Sequence, residues 1–158
     1  MNKIIKFIVS VATCLIAGMI GSVFTAPSIP AWYAGLQKPA FNPPNWIFAP
    51  VWTALFIMMG IAAYLVWDRG SENKNVKIAL AAFGGQLFLN VLWSVLFFGL
   101  RSPSSAFVDI ILLWLAILLT IICFYKVSRP ASYLLIPYIL WVSFAAVLNL
   151  SILLLNRY

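Results

Sequence analysis

The segment WYAGLQKPAFNPPNWIFAPVW, residues 32–52, is the longest connection between apolar runs in this chain, and the other runs are arranged on either side of it. Its prolines lack a backbone N–H, and each one drives the preceding residue towards extended geometry. We therefore predict a stiff, largely non-helical loop over residues 37–44 and a helix capped by Asn45. The Trp, Tyr and Phe content argues against disorder, and a long ordered loop is usually functional. We interpret residues 26–44 as a lid, with Trp32, Tyr33, Lys38, Pro39, Pro43 and Pro44 as its characteristic residues.

The composition of the chain is that of a membrane protein. The 158 residues are 65% hydrophobic and 8% charged, and their mean hydropathy is +1.05, which a soluble domain of this size does not tolerate. The net charge of +7 therefore indicates membrane orientation rather than nucleic-acid binding. We predict an all-α integral membrane protein whose surroundings are a lipid bilayer, with no nucleic-acid partner.

Five apolar runs are long enough to cross a bilayer. The first follows Lys3 and Lys6, as a secretory signal would, but its apolar run is longer than that of a signal and contains small residues at helix-packing spacing. These features favour a membrane span. With no strand pattern and no internal repeat, we predict one domain over residues 1–158 that forms a single bundle of five transmembrane helices. The predicted spans are residues 5–25, 46–67, 77–100, 106–126 and 132–155.

The distribution of Lys and Arg predicts how the bundle is oriented. An odd number of spans places the two ends of the chain on opposite sides of the membrane. Seven of the ten cations fall on the amino-terminal side, so the positive-inside rule places the amino terminus in the cytoplasm. The lid loop and the carboxyl terminus are then expected on the opposite side. The seven cations are Lys3, Lys6, Arg69, Lys74, Lys77, Lys126 and Arg129.

The residues of acid–base catalysis and metal binding are almost absent. The chain has no His and three carboxylates, of which none forms an evident catalytic pair. Cys14 and Cys123 stand alone in apolar runs without CxxC spacing, which is typical of small core residues. We therefore predict no catalytic residue, no metal site and no cofactor.

Three of the predicted spans carry a Trp within a stripe at helical spacing. The stripes consist of Trp52, Phe56, Met59 and Ala63; of Gln86, Asn90, Trp93 and Phe97; and of Pro137, Trp141, Ala145 and Leu148. Each stripe can either pack against other helices or line a ligand site, and the amides of Gln86 and Asn90 can either bond neighbouring helices or contact a ligand. Asp109, near the start of the fourth span, can cap, pair or function. For Trp32, Trp46 and Trp67, near span ends, an interfacial belt is favoured.

These motifs together resemble the TspO/MBR family, which comprises bacterial tryptophan-rich sensory proteins and the mitochondrial translocator protein, or peripheral-type benzodiazepine receptor. The segment WYAGLQKPAFNPPNWIFAPVWTALF is similar to the family's signature loop, and QLFLNVLWSVLFFGLR is similar to its third-helix motif. The segments AFVDI and LIPYILWVSFAAVLN follow in the family's order. The resemblance implies a five-helix bundle, often a homodimer, with a ligand pocket under the first loop.

The resemblance also implies which residues contact a ligand. Phe41 stands where the family often has a Trp, Ser105 stands where animal members have a pocket Trp, and both departures affect ligand affinity. Leu150 replaces the Tyr that the sterol-recognition pattern of animal members requires, so sterol is a weaker candidate than other ligands. The residues that match the family's pocket are Trp52, Asn90, Trp93, Trp141, Ala145 and Leu148.

The function implied by the resemblance is that of a membrane receptor or transporter for porphyrins, such as haem and protoporphyrin IX, and for similar flat hydrophobic molecules. A transport or stress-sensing role accompanies this binding. A light-driven porphyrin-degrading enzyme is an alternative, and without an acid–base pair its chemistry would have to run through Trp. A sterol or lipid translocator is a further candidate, and so is a protein with a structural or assembly role.

Overall fold

The computed structural model describes residues 2–157, and its five long apolar helices confirm the predicted all-α, multi-pass membrane fold. No strand is present among these residues. The first, second and fourth spans are single α-helices, the third is an α-helix that ends in a π-helical segment, and the fifth is made of two helices in succession. The helices are α1 (Lys3–Ser28), α2 (Asn45–Trp67), α3 (Lys74–Ser94), α4 (Pro103–Val127), α5 (Arg129–Leu134) and α6 (Ile136–Leu155), with a π-helical segment, Val95–Gly99, directly after α3.

The start of a helix depends on its capping residue. Asn73 accepts a hydrogen bond from the backbone N–H of Asn75 at 2.9 Å, so α3 begins at Lys74, ahead of the predicted residue 77. The prediction that Asn45 caps α2 is wrong by one residue. Pro44 occupies the capping position in extended geometry, and its carbonyl accepts from Ile47 N at 3.0 Å, so Asn45 already belongs to the helix.

The lid loop begins later than predicted because α1 continues through Ser28. The N–H of Ile29 donates to the carbonyl of Thr25 at 3.2 Å, and Ser28 Oγ donates to the carbonyl of Phe98 at 2.9 Å. These bonds hold the last turn of α1 against the end of the third span. The connection is therefore residues 29–44, with a short 3-10 turn at Tyr33–Gly35 and no helix over residues 36–44, as the prolines predict.

Two irregularities shape the helices that surround the interior. The fifth span begins at Arg129, earlier than the predicted residue 132, and is interrupted at Leu135, because Pro137 has no N–H with which to continue the helical bonding. At the end of the third span, Leu100 N–H donates to the carbonyl of Val95 at 2.7 Å, which closes the π-helical turn. This turn brings the consecutive residues Phe97 and Phe98 into the buried core beneath the loop.

The helices pack tightly at the end of the bundle distant from the loop. Gly60 of α2 faces the backbone of α1, where Val11 lies so close that no side chain fits between them. Phe83 of α3 stacks on Phe124 of α4 with ring centroids 5.7 Å apart. The interior space of the bundle therefore lies nearer to the residue 29–44 connection.

Candidate ligand-binding cavity

A cavity of about 560 Å³ lies between the helices beneath the 29–44 connection. Small-molecule sites are usually ~300–1,000 Å³ and mostly apolar, so both the size and the lining suit a drug-sized ligand. Side chains from α1, α2, the third span, α4 and α6 form its walls, and Tyr33 of the connection also lines it. All six residues proposed from the sequence line this one cavity, namely Trp52, Asn90, Trp93, Trp141, Ala145 and Leu148.

The aromatic side chains of the cavity support one another. Trp93 stacks on Phe97 with ring centroids 5.0 Å apart. Trp141 meets Phe48 of α2 edge-on at 6.0 Å, and Trp52 meets the ring of Tyr138 at 6.3 Å. Such contacts add ~0.5–1.5 kcal/mol beyond simple burial and limit the rotation of each ring. The three indoles are therefore held in place by ring contacts within the bundle.

A buried chain of hydrogen bonds joins the third span to α6. Asn90 Nδ2 donates to Tyr138 Oη at 2.8 Å, and Tyr138 Oη donates to Gln86 Oε1 at 2.8 Å. Gln86 Nε2 reaches Met59 Sδ at 3.9 Å, which is a weak contact. Gln86 thus bonds a neighbouring helix and does not line the cavity, whereas Asn90 does both.

Asn149 is a cavity residue that sequence reasoning did not select. Its Oδ1 accepts from Trp93 Nε1 at 3.0 Å, and its Nδ2 donates to the carbonyl of Pro103 at 2.9 Å. It therefore fixes the indole of Trp93 and joins α6 to the beginning of α4. The sequence offered one signal, because Asn149 follows Ala145 by four residues and so lies on the same helical face.

The indole N–H of Trp141 differs from those of Trp93 and Trp114. Trp114 Nε1 donates to Ser143 Oγ at 2.8 Å, as Trp93 donates to Asn149. Trp141 Nε1 is buried and has no hydrogen-bond partner within residues 2–157. A buried N–H without a partner costs free energy that a bound acceptor would recover.

The cavity lining includes the parts of α1 and α2 that lie near the connection. Its α1 wall consists mostly of small and polar side chains, which the sequence suggested only as a helix-packing surface, together with Leu15 and Met19. Several lining residues on these two helices are exposed, and they belong to the membrane-spanning segments. They are Met19, Ser22 and Ala26 of α1, and Asn45, Ala49 and Thr53 of α2.

The connection is fastened to the bundle by aromatic and polar contacts. Tyr33 is buried against Phe97 and Phe98, and its hydroxyl donates to Asn42 Oδ1 at 2.9 Å. Burial raises the pKa of the Tyr33 phenol above its ordinary value, and the hydrogen bond with Asn42 acts in the opposite direction. Trp32 meets Phe97 edge-on at 5.5 Å, so it packs on the bundle, and the interfacial belt that the sequence favoured for it stays a prediction.

A pair of reciprocal hydrogen bonds ties the middle of the connection to the end of α6. Asn156 Oδ1 accepts from the N–H of Gln37 at 3.0 Å, and Asn156 Nδ2 donates to the carbonyl of Gln37 at 2.9 Å. Lys38 lies 4.7 Å above the ring of Tyr33 and donates to the carbonyl of Leu36 at 3.1 Å. Of the predicted lid residues, only Tyr33 is part of the cavity lining, whereas Trp32, Lys38, Pro39, Pro43 and Pro44 lie outside it.

The remaining polar groups within the spans do not form a reactive cluster. Asp109 is 4% exposed, and neither a helix cap nor an ion pair within residues 2–157 involves it. Cys14 is buried and Cys123 is partly buried in the core. The part of the chain that the structure describes holds no group of three or more His, Cys, Asp or Glu able to bind a metal ion.

Five membrane-spanning helices surround an aromatic cavity, and a proline-rich connection closes it on one side. This arrangement defines a multi-pass membrane protein with an internal site for a hydrophobic ligand. The TspO/MBR family model matches residues 10–155, and the chain belongs to this family. Identity is 48% over 157 residues with the tryptophan-rich protein TspO of Chlorobaculum tepidum, which covers 99% of each chain.

Two further relatives come from distant organisms. The tryptophan-rich protein TspO of Archaeoglobus fulgidus is 49% identical over 155 residues, which is 98% of this chain and 99% of that protein. The translocator protein of Ovis aries is 42% identical over 133 residues, which is 84% of this chain and 79% of that protein. The similarity therefore extends over nearly the whole bundle.

Proposed function

We propose that this chain is a membrane receptor or transporter that binds a porphyrin, or a similar flat hydrophobic molecule, in the cavity beneath the 29–44 connection. A transport or stress-sensing role follows from such binding, and family membership supports a receptor or sensor. The observation that carries the proposal is the convergence of three Trp from three helices on one cavity. Flat conjugated molecules stack on such rings, and each contact contributes ~0.5–1.5 kcal/mol beyond burial.

The unpartnered N–H of Trp141 supplies a point of orientation for this ligand. Trp141 lines the cavity, and its buried Nε1 has no acceptor within residues 2–157. In this proposal a bound ligand that presents a carboxylate or another acceptor supplies the missing hydrogen bond. Lys38 is already engaged by the carbonyl of Leu36 and the ring of Tyr33, and it lies outside the lining. Stacking and the Trp141 N–H therefore dominate binding in this proposal, and a charge pair with Lys38 does not.

Iron is dispensable in the proposed complex. The chain contains no His, the side chain through which haem iron is commonly held. Of the other possible iron ligands in the cavity lining, Tyr33 has its hydroxyl bonded to Asn42 and Met19 is exposed. We therefore expect free-base protoporphyrin IX and haem to bind with similar affinity. The binding energy of both comes from the planar ring system.

The connection acts as a lid in this proposal, and the ligand reaches the cavity from the bilayer. The exposed lining residues of α1 and α2 provide the lateral opening, through which a molecule dissolved in lipid need not cross water. The cytoplasmic amino terminus, with the lid on the opposite side, rests on the Lys and Arg distribution. A homodimer and sterol binding stay predictions of the family resemblance.

The test is a titration of purified protein with protoporphyrin IX and with haem in the dark, followed by porphyrin absorbance. Trp141→Phe keeps an aromatic ring but removes the free N–H, so we expect ~2- to 12-fold weaker binding. Trp114→Phe is the matched control, because it also removes an indole N–H but lies outside the cavity lining. This control is expected to bind like the unmodified chain.

Equal loss of affinity in both variants would contradict the assignment of the cavity, since it would indicate a general structural effect. Haem binding a hundredfold tighter than the free base would show axial ligation and would also contradict the proposal. Repeating the titration under illumination distinguishes the enzymatic alternative. Loss of porphyrin that requires the cavity Trp would favour light-driven degradation over simple binding.

A further inference from the structure

A second cleft, of about 620 Å³, opens on the surface at the end of the bundle opposite the 29–44 connection. The turn after α2 and the junction between α4 and α5 form its walls. Three exposed cations line it, namely Arg69, Lys126 and Arg129, together with Tyr125 and Ser128. The cleft is therefore a concentration of positive charge at one level of the molecule.

No carboxylate neutralises these three cations within residues 2–157. Asp68 lies 3.6 Å from both Lys3 and Lys6, and Glu72 lies 3.4 Å from Lys77. The third carboxylate of the chain is buried in α4. Because the nearby acidic groups are engaged elsewhere, the cleft retains a positive potential that attracts anions.

Ser128 adds an independent sign of a ligand at this cleft. The residue is 4% exposed and is one of those that line the cleft, yet its Oγ is buried and has no hydrogen-bond partner in the described part of the chain. The hydroxyl does not serve as a helix cap either, since α5 has no side-chain capping bond. A buried hydroxyl is normally bonded, and a phosphate oxygen placed in the cleft would accept from it.

The surroundings of the cleft are those of a membrane–water interface. Tyr125 and Tyr133 are 46% and 59% exposed, and their rings meet edge-on at 6.4 Å. The guanidinium of Arg129 lies 5.3 Å from the ring of Tyr125. Such Tyr side chains mark the headgroup level of a bilayer. Towards the membrane centre, Leu118 and Ile122 continue the exposed face of α4, which offers acyl chains an apolar path.

We propose that the cleft between the α2–α3 turn and the α4–α5 junction binds the headgroup phosphate of an anionic phospholipid. Arg69, Lys126 and Arg129 surround the phosphate, Ser128 donates to one of its oxygens, and the acyl chains lie along the outer face of α4. Basic pockets between transmembrane helices are known to bind acidic lipid headgroups. The continuous apolar face distinguishes a lipid from a soluble phosphate, which would use only the cleft.

The experiment is a lipid titration followed by native mass spectrometry of the whole chain. Phosphatidylglycerol is compared with phosphatidylcholine of the same acyl chains, because both contain a phosphodiester but only the first has a net charge. A cation near an anionic membrane surface contributes about fivefold in affinity, so Arg69→Gln with Arg129→Gln lowers phosphatidylglycerol affinity ~25-fold. Lys74→Gln with Lys77→Gln is the control, because it removes the same charge from the same end, outside the cleft lining.

A preference for phosphatidylglycerol that disappears in the cleft variant and persists in the control supports the proposal. Ser128→Ala, which leaves all charges in place, is expected to weaken phosphatidylglycerol binding ~2- to 12-fold. Equal losses in the cleft and control variants would overturn the proposal in favour of general charge attraction. Glycerol 3-phosphate binding as tightly as the lipid would overturn it in favour of a soluble anion site.

Discussion

Gly60→Ala tests the close approach of α1 to α2 that holds the narrow end of the bundle together. A Cβ atom at this position would lie 2.6 Å from Val11 Cα and 3.1 Å from the carbonyl oxygen of Ser10. Real Cβ contacts do not fall below 3.0 Å, and ordinary contacts begin at 3.4 Å, which the two backbones reach only by separating by 3.4 − 2.6 = 0.8 Å. The obstacle is backbone, which cannot move aside as the end of a side chain can.

The free-energy cost of this overpacking is isolated by comparison with Gly84→Ala in α3, where an added Cβ would meet nothing within 4 Å. Both substitutions place Ala in a helix, which favours the folded state by ~1 kcal/mol relative to Gly. Only the variant at Gly60 adds overpacking, which costs ~1–3 kcal/mol. The two variants are therefore expected to differ by that amount, or ~2–12 °C in melting temperature for a chain of this size.

The measurement is thermal unfolding of the monomer in detergent, followed by helical circular dichroism at one fixed heating rate. We expect the variant at Gly60 to melt below the variant at Gly84. A melting temperature for Gly60→Ala equal to or above that of its control would refute the close packing of α1 and α2. Because both helices line the cavity, porphyrin affinity is also expected to fall in the variant at Gly60 and to stay unchanged in the control.

Three further results are expected. Tyr138→Phe removes two buried hydrogen bonds, which average ~0.6 kcal/mol each in membranes, so we expect the melting temperature to fall by ~2–5 °C. An unchanged melting temperature would contradict the hydrogen bonds of Tyr138 with Asn90 and Gln86. Asn156→Ala releases the connection from α6, so we expect bound porphyrin to dissociate about fivefold faster in stopped-flow measurements. An unaltered off-rate would exclude a lid that opens between Gln37 and Asn156. A reporter fused to the carboxyl terminus is expected outside the cytoplasm and one inserted at Asn73 inside it, and the reverse pattern would contradict the orientation.

Composition and local pattern were sufficient to predict the architecture. Apolar runs of span length specify membrane helices because a single segment in a bilayer can satisfy its own backbone hydrogen bonds only as a helix. Proline chemistry likewise predicted the absence of helix over residues 37–44. The ends of the helices were predicted less well, because contacts distant in sequence decide them. Ser28 extends α1 by bonding to Phe98, and no pattern around residue 28 indicates that partner.

Six residues of the candidate cavity were selected from the sequence, but the hydrogen bonding within the cavity was not. Helical spacing and family resemblance brought together the six residues that line the cavity. The N–H of Trp141 is unpartnered, whereas that of Trp114 is bonded to Ser143. Neither helical spacing nor family resemblance predicts this difference, because it depends on which side chain a neighbouring helix presents. The hydrogen bonds of Asn149 and the unpartnered hydroxyl of Ser128 likewise depend on the neighbouring segments of the bundle.

The amino-acid sequence by itself determined the number of spans, the rigid connection and the side chains available for binding, since these follow from hydropathy, backbone chemistry and residue type. Only the tertiary structure decided which side chains share a cavity and which polar atoms lack a partner. These properties depend on contacts between helices far apart in the chain, as when Asn156 bonds to Gln37. Local sequence does not specify such partners, because each helix surface acquires its environment only when the bundle assembles.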